Sequence, residues 1–437
     1  MDLRARLLGF ATARPRAFVI TSPGATRTRL LVEDGLRRRG GRTVTAPAAA
    51  TILILCGTPG EELASAVDVT WADVPGPRAF IRLDETVSAE EVATALDRAV
   101  RELADTAVQW ADAAARRAWT PEDDQDAEHE QDDEADHEGG HEASPPHDEH
   151  EEHQEHGGHE EHGGHAGHGG GHDGHEHHMG APMGLPMAGR ADDRDGLKLD
   201  VLHVPLGPAL HDWPAGLVLH LTLQGDVVQA VRVGVADGGE SRSSFWDEPW
   251  LRATAGQRVS VGEAERRRAA AHLDSVGRLL AVAGWTNAAE RARVLRDDAV
   301  ADASGDRLAV RFAGFSRRIR RSWILCWMLR DVGVIGRAAV DRHGLSGPSA
   351  RHLGDVFARL RGWLDEAGAA IGRIGDREQL DGSDGPRGPI ERRPSAAMLN
   401  LLPVLLEGAE LSAARLIVAS LDPDLAQPAV PAEVAGG

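Results

Sequence analysis

The sequence predicts two folded domains of different class: an α/β domain at the N-terminus, and a mainly α domain opened by a small β-sheet. A disordered linker joins them. Three observations carry this. Apolar runs alternate with helical periodicity over residues 1–118. Hydrophobic periodicity is lost over residues 119–194. Residues 195–437 open on a hairpin pattern and continue as successive helices. A chain of 437 residues has room for both domains.

In the first domain Ala17, Phe18, Val19 and Ile20 form an apolar run that ends at Ser22-Pro23-Gly24, a strand followed by a turn. Residues 30–39 have helical spacing and stop at Gly40-Gly41. Residues 51–56, rich in branched side chains, read as a second strand ending at Gly57. Residues 61–71 are helical, 77–83 form a third strand, and 88–115 form one long helix in which Ser88 and Glu91 make a capping box. Strands alternating with helices imply a parallel sheet covered on both faces.

In the second domain residues 218–223 and 227–235 flank Gly225-Asp226 as a β-hairpin. Helices follow over 262–283, 288–299, 308–330, 350–372 and 396–406, punctuated at Gly284, Gly333, Pro348 and Pro403. Trp285, Trp323, Trp327 and Trp363 are expected in the core, with Cys326 as a small buried apolar residue. His203, His220, His272, His343 and His352 are expected to be surface or hydrogen-bonded residues. Arg317, Arg318, Arg320 and Arg321 read as a charge run at a helix start, facing solvent or another subunit.

The net charge of −21 belongs to one segment. Of 69 acidic residues, 21 lie between Pro121 and His178, where there is no Lys or Arg, so the rest of the chain is balanced at 48 of each sign. No basic stripe with interleaved aromatics suggests nucleic acid. Two cysteines, Cys56 and Cys326, build neither a disulfide framework nor a four-thiolate cluster and fit a reducing compartment. Residues 1–16 lack the apolar core of a signal peptide, and the most apolar stretch, residues 323–335, is short and broken by Arg330 and Asp331. The expectation is a cytoplasmic protein with no transmembrane segment, peripheral to the inner face of a membrane only through a partner.

The linker is too polar and glycine-rich to offset the entropy of ordering it. It also carries the clearest chemistry. Fifteen of the 21 histidines lie between His129 and His178. His147, His150, His153, His156, His159, His162, His165 and His168 recur every third residue, and His172, His175, His177 and His178 follow. Neutral imidazoles on a pliant backbone are ligands for Ni2+ or Zn2+, and the carboxylates between them add oxygen donors. Met179, Met183 and Met187 extend the options to copper.

Four stretches of the second domain resemble the large subunit of NiFe hydrogenases and its descendant in NADH:quinone oxidoreductase, respiratory complex I. They are Gly207-Pro208 with the hairpin through Asp226, the run from Leu345-Ser346-Gly347-Pro348 to Gly354, the turn Asp384-Gly385-Pro386-Arg387-Gly388, and Ser420-Leu421-Asp422-Pro423. They occur in the family's order over some 220 residues. The first domain is similar to the small subunit, through the strand ending at Ser22-Pro23-Gly24 and through Cys56-Gly57-Thr58-Pro59-Gly60. The resemblance implies a flavodoxin-like first domain and a NiFe-hydrogenase large-subunit-like second one.

The chain departs from that family where its chemistry lies. The small subunit's cluster needs thiolates, yet residues 23–27 hold no Cys and Cys56 has no partner. Asp424-Leu425-Ala426-Gln427 stands where the large subunit has its last metal-binding cysteines, and no C-x-x-C occurs. His211, in Leu210-His211-Asp212-Trp213-Pro214, is the candidate for the quinone loop of complex I, offset from the family's position, and the chain has no Tyr to assist it. The resemblance without its ligands implies a non-catalytic scaffold, assembly or regulatory partner of complex I or hydrogenase subunits, with no iron–sulfur cluster or NiFe centre. Two other readings stay open: a nickel or zinc storage or delivery protein, and a partner-dependent oxidoreductase subunit that keeps quinone binding.

Overall fold

The computed structural model describes residues 14–118, 190–192, 198–236, 244–301 and 303–427. The twelve tract histidines from His147 to His178, and nearly all of the segment read as a linker, lie outside the described residues. By contacts the chain forms two units, Met1–Ala114 with Ala188–Gly437, and Ala115–Met187. The sheet domain and the helical region thus belong to one compact unit.

The N-terminal part runs β1 (Arg16–Thr21), α1 (Thr26–Arg38), β2 (Arg42–Thr43), β3 (Ile52–Cys56), α2 (Glu61–Asp73), β4 (Ala79–Leu83), α3 (Ala89–Ala104) and α4 (Thr106–Ala118). Its four strands are parallel in the order β2-β1-β3-β4. Both faces are covered, which is why the strands read as unbroken apolar runs. Ala17, Val19, Ile52 and Ile54 pack against Val32 and Leu36 of α1 and Leu96 of α3. Phe18, Ile20, Leu53 and Leu55 pack on the other face against Leu63 and Val67 of α2.

The Ser88–Glu91 capping box is present: Ser88 Oγ accepts from the Glu91 amide at 3.2 Å, and Glu91 Oε2 accepts from the Ser88 amide at 2.7 Å. The helix it starts is shorter than expected. Asp105 leaves helical geometry, and its Oδ1 accepts from the amides of Ala107 and Val108 at 2.9 and 3.3 Å. It therefore caps a separate helix, α4.

In the second part β5 (Arg190–Asp192), β6 (Lys198–Leu206), β7 (Leu217–Gln224) and β8 (Val227–Val235) form an antiparallel sheet in chain order. The hairpin at Gly225-Asp226 is as expected, with Gly225 at φ +60°. Two further strands precede it. β6 is largely exposed, so it carried no alternating signal, and Arg190–Asp192, placed by the sequence in the linker, pairs with it.

Helices α5 (Glu248–Thr254), α6 (Val261–Val282), α7 (Thr286–Val300), α8 (Gly305–Arg320), α9 (Trp323–Leu329), α10 (Arg337–His343), α11 (Pro348–Arg351) and α12 (Val356–Gly372) follow. The short hairpin of β9 (Asp384–Gly385) and β10 (Gly388–Pro389) then leads to α13 (Pro394–Leu406) and α14 (Leu411–Leu421). α6 lies at the centre, packed on α7, α12 and α14. One apolar cluster runs from Leu219 and Leu221 of β7 through Leu273 and Leu280 of α6 to Leu360 of α12, and it includes Leu30 of α1.

Several expectations are corrected. Residues 308–330 are two helices, because the chain turns at Arg321 and Ser322, whose Oγ accepts from the Leu325 amide. The four arginines therefore sit at the end of α8, where cations complement the helix dipole, and not at a helix start. Trp323 and Trp327, expected in the core, are each 74% exposed, because α9 buries Leu325 and Leu329 instead; Cys326 is half-buried. Residues 350–372 divide as well, with Asp355 Oδ1 capping α12 through the Ala358 amide, and Pro403 lies inside α13 rather than ending it.

Candidate functional site

The turn after β1, Ser22 to Ala25, meets the loop after α14, Asp422 to Gln427, at the junction of the sheet domain and the helical region. The second loop is where the resemblance places the large subunit's terminal metal ligands. Asp422 is buried at the end of α14 in left-handed geometry, φ +43°. Its Oδ2 accepts from Ser275 Oγ at 2.7 Å and Arg387 Nη2 at 2.6 Å, and its Oδ1 accepts from Arg278 Nη1 at 3.1 Å. Arg387 Nε also donates to the Asp422 carbonyl at 2.9 Å. The Gly347–Pro348 and Arg387–Gly388 turns meet here: a Cβ on Gly347 would lie 2.1 Å from the Arg387 carbonyl oxygen.

Next to it, Asp424 accepts from Ser244 Oγ at 2.7 Å, and Asp247 Oδ2 accepts from Gln427 Nε2 at 2.7 Å. Burial first, and then the Asp424 carboxylate, push the Asp247 carboxyl up to about 6, against the hydrogen bonds from Gln427 and Ser244. The sign of the linkage follows. A carboxyl raised above its usual 3.8 is favoured in its protonated form by the fold, so its contribution is lost as pH rises from about 4 to 6. The Asp247→Asn variant is expected to gain about 1–3 kcal/mol over wild type at pH 8 and little at pH 4. Urea unfolding at both pH values checks this; an equal shift at both would show that Asp247 does not titrate there.

Beneath lies a buried charge network shared by the two parts. Arg29 of α1 donates to Asp274 of α6 from Nη1 and Nη2, at 3.2 and 2.8 Å, and from Nη1 to Glu33 at 2.8 Å. Arg296 of α7, wholly buried, meets Asp274 at 2.7 Å and reaches ion-pair distance of Glu33 at 2.8 Å. Arg278 touches both Asp274 and Asp422, and Arg37 pairs with Asp297. Burial alone would raise the Asp274 and Glu33 carboxyls, but the surrounding guanidiniums outweigh it and hold both well below the usual range.

His211, the quinone-loop candidate, is at this junction. Its side chain is 8% exposed, with Nε2 3.2 Å from Asp212 Oδ2, and its ring lies 6.3 Å from that of Phe18. Burial pushes its imidazole below the usual range, with Asp212 pulling the other way. Asp212 is itself taken by Arg293 at 2.6 Å. The cavity beside His211 is about 20 Å³, as is the one beside Asp422, each enough for about one water. Small-molecule pockets run to about 300–1,000 Å³.

Cys56 ends β3 in full burial, which raises its thiol and disfavours the thiolate. Among the described residues no group of three or more His, Cys, Asp or Glu side chains is placed to hold a metal. Around Asp422 the partners are hydroxyl and guanidinium, and two arginines already occupy the carboxylate. This donor set does not fit a nickel–iron group.

Of the scattered histidines, His203 meets Thr222 at 3.3 Å and His352 meets Glu366 at 3.2 Å. His203 and His220 line a depression of about 410 Å³ on the outer face of the β6–β8 sheet. His272 corrects the expectation: it is fully buried with neither ring nitrogen hydrogen-bonded, and burial holds it neutral. The sequence pointed to Asp422 and the Arg387 turn through motif alone. It gave no warning of the Arg29–Glu33–Asp274–Arg296 cluster, because α6 carries charged residues along much of its length and Asp274 does not stand out among them.

No family model matches the sequence, and no curated protein matches it either. Among solved structures, the chain is similar to one from the membrane-bound sulfane sulfur reductase, an archaeal respiratory membrane complex, at 16% identity and a TM-score of 0.37, over 52% of this chain and 98% of that one.

Proposed function

We propose that the chain is a non-catalytic relative of the paired small and large subunits of complex I and NiFe hydrogenase, acting as scaffold, assembly partner or regulator of such a complex. In this reading residues 1–118 take the flavodoxin-like small subunit's part, 195–437 the large subunit's, and 119–194 tether them. The observation that carries it is the junction, where the family's reaction centre would lie. Guanidinium–carboxylate pairs occupy it, and the space left holds about one water beside Asp422 and one beside His211. A quinone ring would have to displace Arg278 or Arg293 from its carboxylate. Affinity purification of the full chain from its native host is expected to bring down respiratory or hydrogenase components; recovery of none overturns the reading.

Fifteen histidines between His129 and His178 favour a second reading, storage or delivery of Ni2+ or Zn2+. Calorimetry on the isolated segment is expected to show uptake at neutral pH that weakens below about pH 6, as the imidazoles protonate. Deletion of residues 129–178 separates the two functions: a metal phenotype favours storage, and an unchanged host favours the scaffold.

A further inference from the structure

The face presented by α9 is the most apolar exposed feature among the described residues. Trp323 and Trp327 are each 74% exposed, Ile324 55%, Met328 37% and nearby Val334 55%. Their spacing (i, i+1, i+4, i+5) puts the first four on one side of a helix whose other side, Leu325 and Leu329, is buried. Residues 317–337 hold six arginines and a single carboxylate, Asp331, in a chain whose net charge is −21. Arg320 is tied to Asp365, whereas Arg317, Arg321, Arg330 and Arg337 are exposed and make no ion pair among the described residues.

We propose that α9 and the arginines around it form a docking surface for an anionic lipid bilayer, on which the chain sits peripherally through its own side chains. Indole rings are amphipathic and settle at the headgroup level, with the apolar body toward the acyl chains. Guanidiniums bind phosphates bidentately, and basic groups beside an apolar patch are drawn to anionic headgroups within a Debye length, on the order of 10 Å at 0.1 M salt. No helix of the described residues is long and apolar enough to cross a membrane, so the mode is attachment at the interface.

Two other occupants fit less well. A second copy meeting this face across a two-fold axis would set the arginines of one against those of the other. The chain's own acidic tract matches the charge, but residues 121–178 include no Val, Ile, Leu, Met, Phe or Trp to cover the two indoles. A bilayer supplies both the negative charge and the apolar depth.

The test is flotation of the full chain with vesicles of equal parts phosphatidylcholine and phosphatidylglycerol, against phosphatidylcholine alone. Wild type is expected to float with the anionic vesicles and to be released by high salt. W323S/W327S and R317E/R321E are each expected to lower the bound-to-free ratio at least about tenfold. Because both indoles are exposed, W323S/W327S should keep the wild-type melting curve, whereas R317E/R321E, which puts carboxylates at the C-terminal end of α8, should melt a few degrees lower but in one cooperative transition, which separates lost docking from lost fold. No flotation of wild type, or flotation unchanged in both variants, overturns the proposal. So does a partner protein, or self-association, lost in W323S/W327S when wild type fails to bind vesicles. The scaffold reading stands or falls separately, on the purification from the native host.

Discussion

Replacing Asp274 by alanine is expected to cost the folded chain about 3–5 kcal/mol, the usual penalty for removing one member of a buried ion cluster. Asp274 is 2% exposed and faces three guanidiniums, those of Arg29, Arg278 and Arg296. Without it, Arg29 keeps only Glu33 while Arg296 keeps Glu33 and Asp297, so the buried cluster is left with one uncompensated positive charge. The loss is expected to be regional as well as global. Arg29 belongs to the sheet domain and Asp274 to the helical region, so amide exchange should quicken first in α1 and at the α6 surface it meets. Urea unfolding with native-state hydrogen exchange reads both. A loss below about 1 kcal/mol would mean that water already reaches the cluster, as it does at surface pairs. The pH dependence has a definite direction: Asp274 and Glu33 are depressed, so their contribution is present above about pH 4 and is lost as pH falls further. Asp247 runs the other way.

The Gly347→Ala variant is expected to lose at least about 3 kcal/mol. Gly347 has φ +65° and ψ −150°, a region essentially closed to residues with a Cβ. The added carbon would also lie 2.1 Å from the Arg387 carbonyl oxygen and 2.6 Å from Gly388 Cα. Backbone, not a flexible side chain, would have to yield. Displacing that turn withdraws Arg387 from Asp422, so the variant should also raise protection-sensitive exchange in the loop after α14. Gly314 provides the contrast. It is exposed within α8, and a Cβ there meets nothing within 4 Å, so Gly314→Ala should add about 0.5–1 kcal/mol. Thermal melts of the two variants against wild type decide whether the contact or the mere loss of a glycine matters; equal effects would refute the first.

The parallel sheet was legible because its strands are buried on both faces, and runs such as Ile52-Leu53-Ile54-Leu55 have no other use. The β7–β8 turn was legible in Gly225-Asp226. Helix breaks at Asp105 and Ser322 were not, since each depends on a side chain folding back onto local amides rather than on a gap in apolar spacing. α9 misled for a related reason: an apolar run in sequence cannot say which side of a helix finds a partner. The junction was least legible. Its pairs lie far apart in sequence, Arg29 with Asp274 by 245 positions, and local patterning has no term for such contacts. The motif residues Gly347, Arg387 and Asp422 marked the place through resemblance, and the structure supplies the reason they belong together.

Because Arg29 and Asp274 are carried by one polypeptide, closing the junction is a unimolecular event. Separate subunits would meet at a rate set by their abundance and part on dilution, whereas tethered halves see each other at an effective concentration that dilution does not change. The melting temperature of this chain should therefore be independent of protein concentration. The two halves are also always present one to one, however strongly the gene is expressed.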